Sequence, residues 1–151
     1  MKNIKSKSAF TMIELIFIIV IIGILASVAV PRLAATRDDA EITKASVMVA
    51  SIRNALSMER QKRILRGDFT AITAVGSGAN VFDKFSADAN GNQADVLEYP
   101  VASSTANGHW SLENSGADYK FNSGAANNPI FVINNGKFIC KAGSDCSTLL
   151  D

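Results

Sequence analysis

The stretch FTMIELIFIIVIIGILASVAVPRL, residues 10–33, decides the fold of this chain. From Phe10 to Val30 it holds 21 residues, of which only Glu14 is charged. As an α-helix this segment is about 31 Å long, close to the ~30 Å of bilayer hydrocarbon, so it predicts a membrane-spanning helix. An acidic side chain within such a helix costs roughly 2.5–3.5 kcal/mol on insertion scales. Glu14 should therefore have a partner or a task.

The charges on either side of this segment predict its orientation and argue against one class of partner. Residues 1–9 contain Lys2, Lys5 and Lys7 and no acid, which predicts that the N-terminus lies in the cytoplasm and the body of the protein is exported. The whole chain carries a net charge of +1, and without those three lysines 12 basic side chains face 14 acidic ones. Binding of nucleic acid through bulk charge is therefore not expected.

After Pro31 the apolar pattern changes from continuous to periodic. Apolar residues recur at spacings of three and four, which predicts one apolar stripe along a helix, formed by Ile42, Ala45, Val49, Ile52 and Leu56. We expect this helix to stop at Gly67, with cations near its carbonyl end, where the helix dipole favours them. Residues 10–66 are thus predicted to form one helix, half in lipid and half amphipathic, with its weak points, or helix breaks, at Gly23 and Pro31.

Residues 67–151 predict a loop followed by an antiparallel sheet. The composition from 67 to 95 is rich in Gly, Ala, Ser, Asn and Asp, as in loops. Five strand-like segments follow, and Asn135-Gly136 between the last two is a strong hairpin signal. The segments are VLEY (96–99), HWSLE (109–113), DYKF (118–121), IFVIN (130–134) and KFIC (137–140). The expected fold class is α+β, with the apolar face of the sheet, including Trp110 and four other aromatic residues, against the helix stripe.

The two cysteines, Cys140 and Cys146, predict a small disulfide loop. Their C-x5-C spacing, with no His or further Cys nearby, does not suit a zinc site, so no metal centre is assigned to them. A disulfide implies an oxidising compartment, which agrees with export of this part of the chain. The only histidine, His109, has no nucleophile placed beside it by any motif, and the chain is not expected to be an enzyme.

The N-terminal residues resemble the type IV pilin family, which includes the pseudopilins of type II secretion. The resemblance covers the basic leader at 1–9, a cleavage site at Ala9-Phe10, and the apolar run with Thr11, Glu14 and Pro31. Beyond about residue 35 only the order of helix and sheet agrees. The family usually has glycine before the cleavage site, where this chain has Ala9, the next smallest residue.

The resemblance implies a pilin-like fold, processing in the inner membrane and subsequent assembly with other subunits. Prepilin peptidase would cut after Ala9 in the inner membrane and methylate the new amine of Phe10. Glu14 of one subunit would then pair with the Phe10 amine of its neighbour, because an unpaired carboxylate is penalised in lipid. The implied partners are further copies of the chain, minor pilin-like subunits, and an assembly platform protein driven by a cytoplasmic ATPase. The domains would be residues 1–9, 10–30, 31–66 and 67–151.

Several alternatives stay open at this stage. Residues 1–29 could be an ordinary secretory signal that releases a protein beginning at Val30, or residues 10–30 a plain anchor for a periplasmic domain. A secretion pseudopilus and an extended pilus are not separated. In the loop SADANGNQAD (86–95), Asp88, Asn90, Asn92 and Asp95 offer oxygen ligands, so calcium is a candidate cofactor, although the Gly and Glu of an EF-hand are missing. A basic cluster at residues 60–66 is most simply a solvated helix end rather than a DNA contact.

Overall fold

One long helix forms the N-terminal part of the chain, as the sequence predicts. The computed structural model describes residues 10–124, 128–143 and 146–150. Within it, α1 runs from Met12 to Leu65. It ends where Gly67 adopts a positive φ and the amides of Gly67 and Asp68 bond to carbonyls of the last turn, which satisfies the exposed helix end. The predicted stop at Gly67 is confirmed.

The predicted helix breaks at Gly23 and Pro31 do not interrupt α1. Both residues lie inside the continuous helix. Proline removes one backbone donor and crowds the preceding turn. The bonds on either side nevertheless continue the helix, so neither residue ends it. The described residues divide into two compact units between Arg37 and Asp38.

The second unit contains a four-stranded antiparallel sheet in the order β3-β4-β5-β6. Its strands are β3 (His109–Glu113), β4 (Asp118–Asn122), β5 (Ile130–Asn134) and β6 (Lys137–Ala142). Four of the five predicted strands are thus confirmed. The β5–β6 hairpin turns at Asn135 and Gly136, both with positive φ as a tight two-residue turn requires.

The strand predicted at residues 96–99 is wrong. That segment is irregular, and the chain instead forms a short antiparallel pair, β1 (Asn80–Val81) with β2 (Val101–Ala102). Val96 is buried while Glu98 and Tyr99 are exposed, so the segment fills the core at one point without forming a ladder. A short helix, α2 (Cys146–Leu150), follows β6.

The core of this unit lies between α1 and the sheet. The stripe residues Ala45, Val49, Ile52 and Leu56 are buried, and Ile42 packs against them, as predicted. The sheet contributes the predicted aromatic residues Trp110, Tyr119, Phe121, Phe131 and Phe138, all buried. A contribution that was not predicted comes from the segment between α1 and β2, which buries Ile72, Val75, Val81, Phe82, Phe85 and Val96.

Both outer strands of the four-stranded sheet have backbone groups that are bonded to other parts of the unit. On β3, the amide of Ser104 donates to the Trp110 carbonyl at 2.9 Å, and the amide of Leu112 donates to Ser103 Oγ at 3.3 Å. On β6, Arg53 Nε donates to the Phe138 carbonyl at 3.1 Å. These bonds use groups that an edge strand otherwise presents to solvent.

Candidate assembly site

The N-terminus of α1 is capped by its own side chains. The Glu14 amide donates to Thr11 Oγ1 at 3.4 Å, and the Thr11 hydroxyl lies 3.5 Å from Glu14 Oε2. Thr11 immediately precedes the helix and Glu14 is its third residue, which is the spacing of a capping box. A carboxylate is also favoured here by the helix dipole. Glu14 therefore has a local partner that the sequence analysis did not identify, although the T-x-x-E pattern was visible.

Phe10 and Glu14 are both exposed at this end of the chain. Phe10 precedes the helix, and Thr11 is the only residue between it and the first helical position. Ala9, the residue before the predicted cleavage site, lies outside the described residues. The carboxylate of Glu14 is therefore accessible for a partner from another chain, while its Thr11 contact is long and exposed.

The remainder of the N-terminal segment presents apolar side chains on every side. All residues from Phe10 to Leu33 are exposed, among them Ile16, Phe17 and Leu25. α1 is long and apolar enough to cross a membrane, and no part of its most apolar stretch of 18 residues is buried within the chain. A helix that is apolar all round belongs in lipid or in contact with other apolar helices. This segment suits both environments.

At the other end of α1, the basic cluster is not uniformly solvated as the sequence suggested. Arg63 is buried, with Nε 3.0 Å from Glu59 Oε1 and Nη2 donating to the Ser86 carbonyl at 2.6 Å. Glu59 is buried as well, and the exposed Arg66 lies 3.6 Å from the same carboxylate oxygen. The bond from Arg63 to the Ser86 carbonyl joins the helix end to the loop that follows it. Arg60 and Lys62 are exposed.

In the loop that suggested calcium, the carboxylate of Asp88 binds the loop's own backbone. Asp88 Oδ1 accepts hydrogen bonds from the amides of Asn90 and Asn92 at 2.9 and 2.8 Å. Both bonds lower the pKa of Asp88, and the bond from the Asn92 amide has the larger effect. Asp68 Oδ2 accepts from the Ala89 amide at 3.1 Å. No group of three His, Cys, Asp or Glu side chains placed to hold a metal occurs in residues 10–124, 128–143 and 146–150. Calcium binding stays a prediction.

The predicted disulfide between Cys140 and Cys146 is present, with Cα atoms 5.9 Å apart. It joins the end of β6 to the start of α2. Leu149 of α2 is buried in the core cluster. The bond therefore holds the C-terminal helix against the sheet, as expected from the sequence.

Comparisons with known proteins support the N-terminal resemblance. No protein-family model matches the chain, and no solved structure matches it. The chain is 38% identical over 58 residues to the type II secretion system core protein G of Vibrio cholerae, covering 38% of this chain and 40% of that protein. It is 41% identical over 54 residues to the protein of the same name from Aeromonas hydrophila, covering 36% and 38%.

A third relative is the type II secretion system core protein G of Escherichia coli, 38% identical over 58 residues, which are 38% of this chain and 40% of that protein. The chain spans about two fifths of the length of the curated relatives it matches. All three relatives carry the same name, and it belongs to the family that the motif around Phe10 and Glu14 resembles. They confirm the predicted resemblance of this chain to the pilin and pseudopilin family.

Proposed function

We propose that this chain is a structural subunit of a type II secretion pseudopilus and not an enzyme. The observation that carries the proposal is an entirely exposed apolar helix whose N-terminus carries one accessible carboxylate, Glu14. Such a helix needs lipid or neighbouring helices around it. The relatives are type II secretion system core proteins G, which favours a secretion pseudopilus over an extended pilus.

The subunit passes through two environments. Before assembly the apolar helix spans the inner membrane, with the second unit in the periplasm. Prepilin peptidase removes residues 1–9 after Ala9 and methylates the Phe10 amine. An assembly platform protein driven by a cytoplasmic ATPase then moves the subunit into a helical polymer with further copies and with minor pilin-like subunits.

Within the polymer, Glu14 pairs with the Phe10 amine of a neighbouring subunit. Apolar helices gain little by exchanging lipid for one another, so packing alone sets no precise stagger. Two opposite charges in a low-dielectric environment attract far more strongly than in water. The pair therefore fixes the register of each incoming subunit. An uncleaved chain has no amine at Phe10 and should polymerise poorly.

Two substitutions at Glu14 separate this pairing from the capping role. Glu14→Gln keeps a residue that can complete a capping box but removes the charge. Glu14→Val removes both the capping group and the charge, and the valine side chain suits lipid better than glutamate or glutamine. We expect both variants to be inserted and cleaved yet to yield at least about tenfold less filament, the equivalent of losing ~1.4 kcal/mol per contact. Glu14→Asp should give a partial defect.

The measurement is filament recovery and crosslinking from cells in which the variant is the only major subunit. Mass spectrometry on the same material should find N-methylated Phe10 as the first residue. A chain that begins at Val30 would instead support a secretory signal. Thr11→Ala is the matched control, because it removes the cap and keeps the charge, and should assemble. Normal assembly of Glu14→Gln together with failure of Thr11→Ala would assign Glu14 to the cap and overturn the pairing.

A further inference from the structure

A groove with unpaired positive charge lies between α1 and the β5–β6 hairpin in the second unit. Its volume is about 350 Å³, and its floor includes the buried side chains of Leu56 and Phe138. Arg53, Ser57 and Ile139 form the rest of the groove together with the turn residues Gly136 and Lys137. Ile139 is partly exposed, so the groove offers both apolar and polar surface.

The cations at this groove have no acidic partner in the described part of the chain. Arg53 Nε bonds to the Phe138 carbonyl, and no carboxylate is recorded within ion-pair distance of Arg53 or Lys137. Arg60 adds a third charge, with Nη1 3.1 Å from where a side chain of Gly136 would begin. Positive charges gathered beside an apolar floor favour a ligand that combines a carboxylate with an apolar or aromatic body.

The same chain carries a segment of that chemistry on its surface. Glu98 and Tyr99 are adjacent and exposed, and Tyr99 is 79% exposed although it is a large aromatic side chain. No ion pair of Glu98 is recorded among the described residues. Tyrosine is enriched where protein surfaces bind one another, because it combines an apolar ring with a hydroxyl.

The two surfaces belong to opposite edges of the sheet. Tyr99 is two residues from β2, β2 pairs with β1, and Ser104 just after β2 bonds to β3, one outer strand. The groove borders β6, the other outer strand. Two different, complementary patches on one chain produce a head-to-tail contact, and such contacts propagate into open helical polymers when they do not close into a ring.

We propose that the groove of one subunit receives the Glu98–Tyr99 segment of a second copy. Glu98 pairs with Lys137 and Arg53, and the Tyr99 ring covers the apolar floor beside Ile139. This inference rests on the proposed function, because it requires a polymer of this chain. It adds a contact between the second units to the one that the N-terminal helices make.

Charge reversal and its rescue test the contact in the full-length chain. Lys137 is the better site for the first variant, because its exposed side chain makes no bond recorded among the described residues. Lys137→Glu and Glu98→Lys should each lower filament recovery about tenfold, since close interfacial charge pairs commonly couple at that level or above. The double variant should restore it. Lys62→Glu, an exposed cation of α1 that does not line the groove, should have no effect.

A second measurement identifies the occupant of the groove. A photocrosslinking amino acid at position 99 should join neighbouring subunits, with the attachment mapped to residues 53–57 or 136–139. Attachment to a different protein, or normal filament recovery in both single reversals, would overturn the proposed contact while the pseudopilus function stands. If the wild-type chain forms no filament, the proposed function fails and this contact fails with it. Failure of the double variant to restore assembly also contradicts the contact.

Discussion

Gly143 shows how little space the chain allows next to its disulfide. Its φ is +119°, and an added Cβ would lie 2.5 Å from Pro129 Cα and 2.7 Å from the Asn128 carbonyl oxygen. Both atoms belong to backbone, which cannot turn aside as a flexible side chain can. Gly116 has φ +90° but nothing within 4 Å of an added Cβ. The two glycines therefore separate backbone strain from steric collision.

We expect Gly143→Ala to lower the free energy of unfolding by about 2–5 kcal/mol, from strain and overpacking together. Gly116→Ala should cost only about 1–2 kcal/mol, because it has the strain alone. Urea unfolding of the full chain in detergent, followed by the fluorescence of the single tryptophan, Trp110, measures both. Equal losses in the two variants would contradict the steric argument.

Asp68 makes stability depend on pH in the acid range. The Thr70 hydroxyl, the Thr70 amide and the Ala89 amide donate to its carboxylate, in that order of effect, and lower its pKa from 3.8 to about 2. A depressed pKa means that the folded state favours the ionised form. The stabilisation is therefore present above about pH 4 and is lost as the pH falls toward 2.

Asp68→Asn removes this titration. We expect the variant to have a lower free energy of unfolding than wild type at pH 6. The difference between the two free energies should become smaller as the pH falls from 4 to 2. Unfolding midpoints of the two chains at several pH values give the comparison. A gap that stays constant over that range would contradict the role of the ionised carboxylate.

Near the end of α1, Glu59 and Arg63 form a buried ion pair, and Arg63 also bonds to the loop through the Ser86 carbonyl. Removing either member of this pair should lower the free energy of unfolding strongly, because the other member is left as an uncompensated buried charge. We expect Arg63→Met to cost about 3–5 kcal/mol, and the double variant Glu59→Leu/Arg63→Met to recover most of that loss. Arg66→Met is the matched control. Its side chain is 57% exposed beside the same carboxylate, so it should change stability by less than about 1 kcal/mol.

Thermal or urea unfolding of the wild type, Glu59→Leu, Arg63→Met and the double variant gives a double-mutant cycle, with Arg66→Met measured beside it. An additive cycle would show that Glu59 and Arg63 do not stabilise one another. A large loss in Arg66→Met would assign the pairing to the exposed cation instead.

The elements with regular periodicity were predictable from the sequence, and the segment between α1 and β2 was not. The three-four spacing from Ile42 to Leu56 and the Asn135-Gly136 turn are local signals, and both predictions were confirmed. Phe82, by contrast, is buried at a positive φ of 60°, in contact with the Trp110, Tyr119 and Phe138 rings. Packing from distant strands holds that conformation, and no local pattern announces it.

The residues of interest on α1 also include one that was predictable from the sequence and one that was not. Glu14 stood out because a charge within an apolar run has a known cost. The burial of Arg63 could not be predicted, since it depends on a loop that folds back over the helix end. Three neighbouring cations, Arg60, Lys62 and Arg66, remain exposed, so composition alone does not distinguish the buried one.

At the scale of the whole molecule, every buried core residue in the part of the chain that the structure describes belongs to the second unit. The first of them along the chain is Ala45, and the last is Leu149. We therefore expect the fragment Asp38–Asp151 to be soluble, monomeric, disulfide-bonded and folded. Its Trp110 emission and near-ultraviolet circular dichroism should match those of the full chain in detergent. Binding of a hydrophobic dye, with loss of the near-ultraviolet signal, would show that the N-terminal segment contributes to this core.

The bonds on the outer strands have a consequence for how copies of the chain join. Amyloid-like growth requires a free strand edge that recruits the same strand from another molecule. Here Ser103 and Ser104 occupy groups of β3, and the guanidinium of Arg53 occupies a carbonyl of β6. Crowded copies of the chain are thereby discouraged from fusing sheet to sheet into an irreversible aggregate. Contacts between side chains remain available to them, and such contacts can be made and released.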